Sequence, residues 1–145
     1  MGRSKAGKQR KAKDKCGTYT DYNASCVPND TYGTIFSSML YSKQFQALSI
    51  GAKMMYVYCR NQAQEKKAKA SLILHGNEEG YVYPLGIYFV FPAKHMERYG
   101  QKRSNGCKYL KELIDAGFIE KVECNKHRKK ENVYMFSSKW KEREV

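Results

Sequence analysis

The residues of this chain whose types could do chemistry are suited to recognising anions and base edges rather than to moving protons or carrying a nucleophile. Gln101, Lys102, Arg103, Ser104, Asn105 and Lys108 stand close together in one polar stretch. The fork of Arg matches two acceptors on guanine, and an Asn or Gln amide pairs in the same bidentate way with adenine. Arg103, Asn105 and Gln101 are therefore the candidate readers of bases, with Lys102 and Lys108 suited to phosphate. A second basic cluster, Lys126, His127, Arg128, Lys129 and Lys130, suits backbone or minor-groove contact. Taken singly, the first group also reads as a solvated helix face and the second as a charged tip that keeps a hairpin soluble.

Other chemistries find little support. The three histidines, His75, His95 and His127, are scattered, and the sequence shows no Gly-rich phosphate loop, no HExxH and no paired-carboxylate motif. Catalysis is not expected. Cys124 and His127 offer at most two zinc ligands, with no second pair at finger-like spacing. No metal or cofactor is predicted. Five cysteines form an odd set without a CxxC, which fits reduced thiols in a cytoplasm. No apolar run is long enough to span a bilayer, and no apolar segment follows the charged start, so a membrane or secreted location is not expected. The excess of 27 Lys and Arg over 14 Asp and Glu, a net charge of +13, favours polyanionic partners, nucleic acid first among them.

The elements that must position these groups follow from hydrophobic period and punctuation. Seven Lys or Arg fall between Met1 and Lys15, with no large apolar residue after Met1, which predicts a disordered basic arm. Residues 16–30 read as a linker, with Tyr19 and Tyr22 available to pack on the domain. Ile35, Phe36, Met39 and Leu40, then Phe45 and Leu48, predict one or two short helices. Ser49 reads as the N-cap of an amphipathic helix from about Ile50 to Glu65, with Ala52, Met55, Tyr56, Cys59 and Ala63 on its inner face. Lys53, Arg60, Asn61 and Gln64 form the opposite face.

Residues 66–84 support no more than a loop or hairpin. Ile87 to Phe91 predicts a short strand feeding a helix that begins at Pro92 and runs to Tyr99. Gly100 breaks it, and a second helix places Cys107, Leu110, Leu113 and Ile114 inward, with Gly117 as its stop. Its outward face also takes in Tyr109 and Glu112. Phe118 to Glu123 and Val133 to Phe136 predict a hairpin, with Phe118, Ile119 and Val122 on its apolar side and the basic cluster at its tip.

Strand, helix, glycine turn, amphipathic helix and basic hairpin, in that order, are what a winged helix-turn-helix requires. The expected architecture is α+β: a three-helix core with a small antiparallel sheet and wing over residues 31–140, after an arm and linker at 1–30 and before a short tail at 141–145. The chain resembles the winged-helix proteins of plasmids, phages and integrative conjugative elements of Gram-positive bacteria, which include replication-initiator-like and conjugation-accessory proteins. The residues that carry the likeness are Met39-Leu40-Tyr41-Ser42-Lys43, Ala47-Leu48-Ser49 with Ala52-Lys53 and Tyr56, Phe91-Pro92 with Tyr99-Gly100, Lys111 to Glu120, and Asn132-Val133-Tyr134 with Phe136-Ser137 and Trp140.

The resemblance implies a reader of duplex DNA sites acting in replication initiation, conjugative transfer as a relaxosome accessory, or regulation, with a relaxase or replication protein as a further partner. The segment from Lys66 to Gly86 departs from the family pattern and suits dimerisation. Two rival classes remain: an RNA-binding protein that uses the arm and tyrosines on single strands, and a winged-helix adaptor that binds protein alone.

Overall fold

The computed structural model describes residues 26, 30, 33–65, 84, 86–123 and 131–144. By its contacts the chain divides into two units, Met1–Asp30 and Thr31–Val145, and every element below belongs to the second. The arm, Tyr19 and Tyr22, and nearly all of the Lys66 to Gly86 segment lie outside the described residues.

Two short helices lead, α1 (Ser37–Leu40) and α2 (Lys43–Gln46), the second capped by Ser42, whose side chain accepts from the Phe45 amide. Helix α3 (Ile50–Gln64) follows; Ser49 caps it by accepting from the Ala52 amide at 3.2 Å. Ala52, Met55, Cys59 and Ala63 are fully buried along its inner face. Beyond the undescribed segment come β1 (Tyr88–Val90), α4 (Ala93–Arg98), α5 (Arg103–Ala116), β2 (Ile119–Glu123) and β3 (Val133–Phe136), and a 3-10 turn over Lys139–Glu142. The three strands form an antiparallel sheet in the order β1-β3-β2, with Val90 opposite Val133 and Ile119 opposite Phe136. The described chain is thus α+β, five helices beside a small sheet, compatible with a winged helix.

One core joins the layers. Leu110 and Leu113 of α5, Met55 and Cys59 of α3, and Phe89 and Ile119 of the sheet meet within it. Burying each of the larger side chains contributes about 2 kcal/mol. Phe45, Tyr56 and Phe118 pack edge to face in a triangle with centroids 5.8 to 6.0 Å apart. Trp140 stacks flat on Phe118, 5.2 Å between centroids. Gly117 makes this seat possible. It ends α5 at φ 87°, a left-handed turn costly for any side chain, and a Cβ there would meet the Trp140 backbone nitrogen at 2.8 Å. The Trp140 amide bonds the Gly117 carbonyl, and the amide of Gln44 donates to the Arg143 carbonyl, so the last turn is tied down at both ends.

Three local expectations need correction. Pro92 stands outside α4 as its N-cap, extended at ψ 160°, with its carbonyl accepting from His95 and Met96, and the helix ends at Arg98, with Tyr99 as its C-cap. Cys107 is exposed, not inward; the inner position belongs to Gly106, where an added Cβ would fall 2.5 Å from the Met96 sulfur. Counting cysteine as apolar rotated the expected face by one residue. Val122 is 41% exposed because the β2 register against β3 shifts between Lys121 and Glu123, a bulge that turns it off the core face.

Candidate nucleic-acid interface

The N-terminal half of α5 is the candidate site, and its position is fixed from both sides. Ahead of it, the turn Tyr99-Gly100-Gln101 reverses the chain after α4. Gly100 takes φ 74°, and the Gln101 amide bonds back to the Met96 carbonyl at 3.0 Å. Behind it, Gly106, Leu110 and Leu113 are buried. What remains outward is the polar edge of the helix: Lys102, Arg103, Ser104, Asn105 and Lys108 are exposed, and Gln101 is half-buried. The side chains of Arg103, Ser104 and Asn105 make no hydrogen bond or ion pair among the described residues, so their donors and acceptors face solvent.

The start of α5 is electrostatically unusual for a helix. Its N-cap is Lys102, whose side chain supplies no cap bond, and its first turn holds no acidic residue. The unsatisfied N–H groups of a first turn and the helix dipole already present partial positive charge there. Lys102 and Arg103 add full positive charges to the same end, where Asp or Ser would stabilise the helix better. The result is a helix terminus where positive charge is concentrated and left without an acidic partner in its own first turn.

Two residues once grouped with the outward face serve the scaffold. Glu112 grips the start of α3: its two carboxylate oxygens accept from the Ser49 amide at 2.8 Å and the Ser49 hydroxyl at 2.7 Å. This negative charge on an N-terminus is favourable and locks α5 against α3. Tyr109 lies over Gly51, where an added Cβ would come 2.1 Å from its ring, so the glycine allows the helices their close approach. Two residues belong with the exposed face and were missed, Cys107 and Lys111. Successive steps of four residues, from Arg103 to Cys107 and on to Lys111, are the signal that places them. Arg103 and Cys107 share a groove of about 440 Å³ with Phe91, Pro92 and Tyr134, between α5 and the root of β3.

A polar cluster between α3 and the α4 segment fixes α4. Gln62 of α3 is fully buried and His95 of α4 nearly so. Asn61 donates to the Tyr99 hydroxyl at 2.9 Å, which donates to the Gln62 carbonyl oxygen at 3.1 Å. That leaves the Gln62 amide nitrogen to donate to Nδ1 of His95, which must then be unprotonated. Burial, reinforced by Arg98, holds the His95 pKa below its usual value, and burial raises that of Tyr99. Arg98 pairs with Glu65 at the edge of the cluster. These residues are consumed by their own hydrogen bonds and hold the turn before α5 in place.

Lys126, Arg128, Lys129 and Lys130, the expected wing contacts, lie outside the described residues, as do Cys124 and His127. The strands that would carry them, β2 and β3, are paired as a hairpin requires. Among the described residues no group of His, Cys, Asp or Glu is arranged to hold a metal, and no helix is long and apolar enough to cross a membrane. Comparison with protein-family models, with curated proteins and with solved structures finds no match to this chain. The geometry of the chain itself is then what bears on function.

Proposed function

We propose that the chain is a winged helix-turn-helix protein that binds double-stranded DNA, with α4 and α5 as the helix-turn-helix and β2, β3 and their connection as the wing. The single observation that carries this reading is the start of α5. There, uncapped cations and unpartnered Arg, Ser and Asn side chains project from a helix whose other side is sealed into the core. In this reading Arg103 and Asn105 address base edges in the major groove, Gln101 assists from the turn, and Lys102, Lys108 and Lys111 meet phosphate. The order helix, strand, helix, helix, strand, strand and the central place of β3 support the winged-helix assignment. The basic cluster at Lys126, Arg128, Lys129 and Lys130 and the charged residues of the first fifteen positions add sequence-independent affinity. The resemblance to proteins of mobile elements makes replication initiation, transfer or regulation of such an element the role to test first.

The decisive experiment is a salt titration of the full chain against duplex fragments of its own element, random duplex and single-stranded RNA, with a chain starting at Tyr19 in parallel. One duplex fragment is expected to stay preferred at higher salt and without the arm. Binding that vanishes with the arm, or that favours single-stranded RNA, overturns the reading.

A further inference from the structure

We infer that a second groove, which shares no lining residue with the one at Arg103, is a docking site for an acidic peptide segment of a partner protein that carries an apolar anchor. It has a volume of about 580 Å³, and its floor is formed by Tyr56, Phe136 and Trp140. Phe36 and Ile87 stand at its edge, 73% and 52% exposed. Large side chains left this open beside an aromatic floor make an apolar surface that association would cover. The polar part of the rim is one-signed. Arg60 and Lys141 line it together with serines, and no carboxylate does so among the described residues.

The chemistry of the occupant follows from which surfaces are free. Within the floor, one face of Trp140 is stacked on Phe118, and the Arg60 guanidinium lies over Phe136 at 4.6 Å, held there by its bonds to Thr34. Space is left at ring edges and beside the aliphatic Ile87, which suits a Phe, Leu or Ile side chain. Arg60 and Lys141 then favour carboxylates on either side of that anchor. A second copy of this chain is a poor occupant, since two molecules of net charge +13 repel.

Position adds the functional sense. In the β1 and β3 pair, Val90 faces Val133 at the end that leads into α4, whereas the Phe136 amide bonds the Ile87 carbonyl at the other end. Arg103 lines the groove beside Phe91 and Tyr134, and the docking groove holds Ile87 and Phe136. The two grooves share no lining residue, so, on the DNA-binding reading proposed above, a peptide docks while the start of α5 is occupied and the chain brings a partner to its duplex.

The test is selection of a displayed library of random twelve-residue peptides on the full chain, with counter-selection on the double variant Phe36→Ser, Ile87→Ser. Both positions are exposed, and the double variant should melt with the parent. Enriched peptides are expected to combine an apolar or aromatic residue with two or more Asp or Glu. A selected peptide should shift the emission of Trp140, the one tryptophan of the chain, saturably and in 0.15 M salt. Either single serine variant should weaken binding about tenfold, and Lys141→Glu several-fold, with duplex binding unchanged. Failure to enrich any class, peptides indifferent to Phe36 and Ile87, competition by a single-stranded oligonucleotide, or self-association lost in Phe36→Ser would each overturn the proposal. Unchanged duplex binding separates its failure from that of the DNA-binding reading.

Discussion

Two polar regions of the molecule use similar residues to opposite ends. The cluster of Asn61, Gln62, His95 and Tyr99 is closed: each group is spent on a neighbour, and the result is a fixed seat for α4. The start of α5 is open: Arg103, Ser104 and Asn105 spend nothing internally, and Lys102 occupies a cap position it does not serve. Residue type alone does not separate a polar group left open to solvent from a strut. Burial and completed hydrogen bonding do, because an unpaired polar group costs little in water and about 1 to 3 kcal/mol in the core.

The comparison breaks most visibly through the core that supports both regions. Leu113→Ala should cost 2 to 5 kcal/mol, roughly, by the cavity it leaves against α3. Gly117→Val should cost about 2 kcal/mol or more, since it forces a β-branched residue into a left-handed turn and onto the Trp140 backbone. Urea unfolding measures both. A native-like midpoint for Gly117→Val would mean that the α5 terminus and the 3-10 turn are not seated as described.

Next in size is the closed cluster. Gln62→Leu keeps the volume but strands the Tyr99 hydroxyl and His95 Nδ1 without their buried partner, for an expected loss of about 2 kcal/mol. Because α4 carries the turn into α5, the same variant should weaken DNA binding across all sequences without altering which sequence is preferred. A change of preferred sequence would make Gln62 part of the reading surface.

The open region is sharpened by a variant of opposite sign. Lys102→Asp supplies α5 with the cap and first-turn acid it lacks, and should raise stability by about 1 kcal/mol while abolishing tight DNA binding. Arg103→Ala and Asn105→Ala should leave stability within about 0.5 kcal/mol, yet each should cost about 1 to 3 kcal/mol at one base position of a preferred site. Melting curves and binding to a panel of single-base site variants check both halves. A loss of stability in Lys102→Asp would show that the cation is there for the fold.

Much of this was legible in the sequence because the deciding signals are local. Ser49 and Gly117 mark the ends of long helices, the inner faces of α3 and α5 follow helical period, and Gln101 to Lys108 form one polar stretch at a helix start. What was not legible depends on partners distant in the chain. Gln62 sits between polar Asn61 and Gln64, and only its meeting with His95 and Tyr99 makes it core. Glu112 looks like any surface carboxylate until α3 brings Ser49 to it. Cys107 and Gly106 compete for one inner position, and the nearness of Met96 decides in favour of the smaller. The bulge that exposes Val122 belongs to strand pairing and leaves no mark in the alternation of residues.

The smallest expected effect is a dependence on pH that, of these two regions, the closed one supplies through His95. His95 sits where burial and the nearby Arg98 and Lys94 disfavour its charged form, against the opposing pull of Glu65 and Glu131. Its folded pKa is therefore lower than the value of 6.5 it takes when unfolded. Between those two values the unfolded chain binds the additional proton, so stability rises with pH across that window. It is complete above about pH 6.5 and declines as the pH falls through that value toward the folded pKa. Protonation at Nδ1 also sets two donors face to face, His95 against the Gln62 amide nitrogen, and loosens the seat of α4. His95→Asn keeps an acceptor for Gln62 and removes the titration. Unfolding free energies measured from pH 7.5 down to 5.5 should fall more steeply for the parent than for this variant, while Arg103→Ala should follow the parent. Parallel slopes for all three would mean that His95 is not the buried acceptor that fixes α4 ahead of α5.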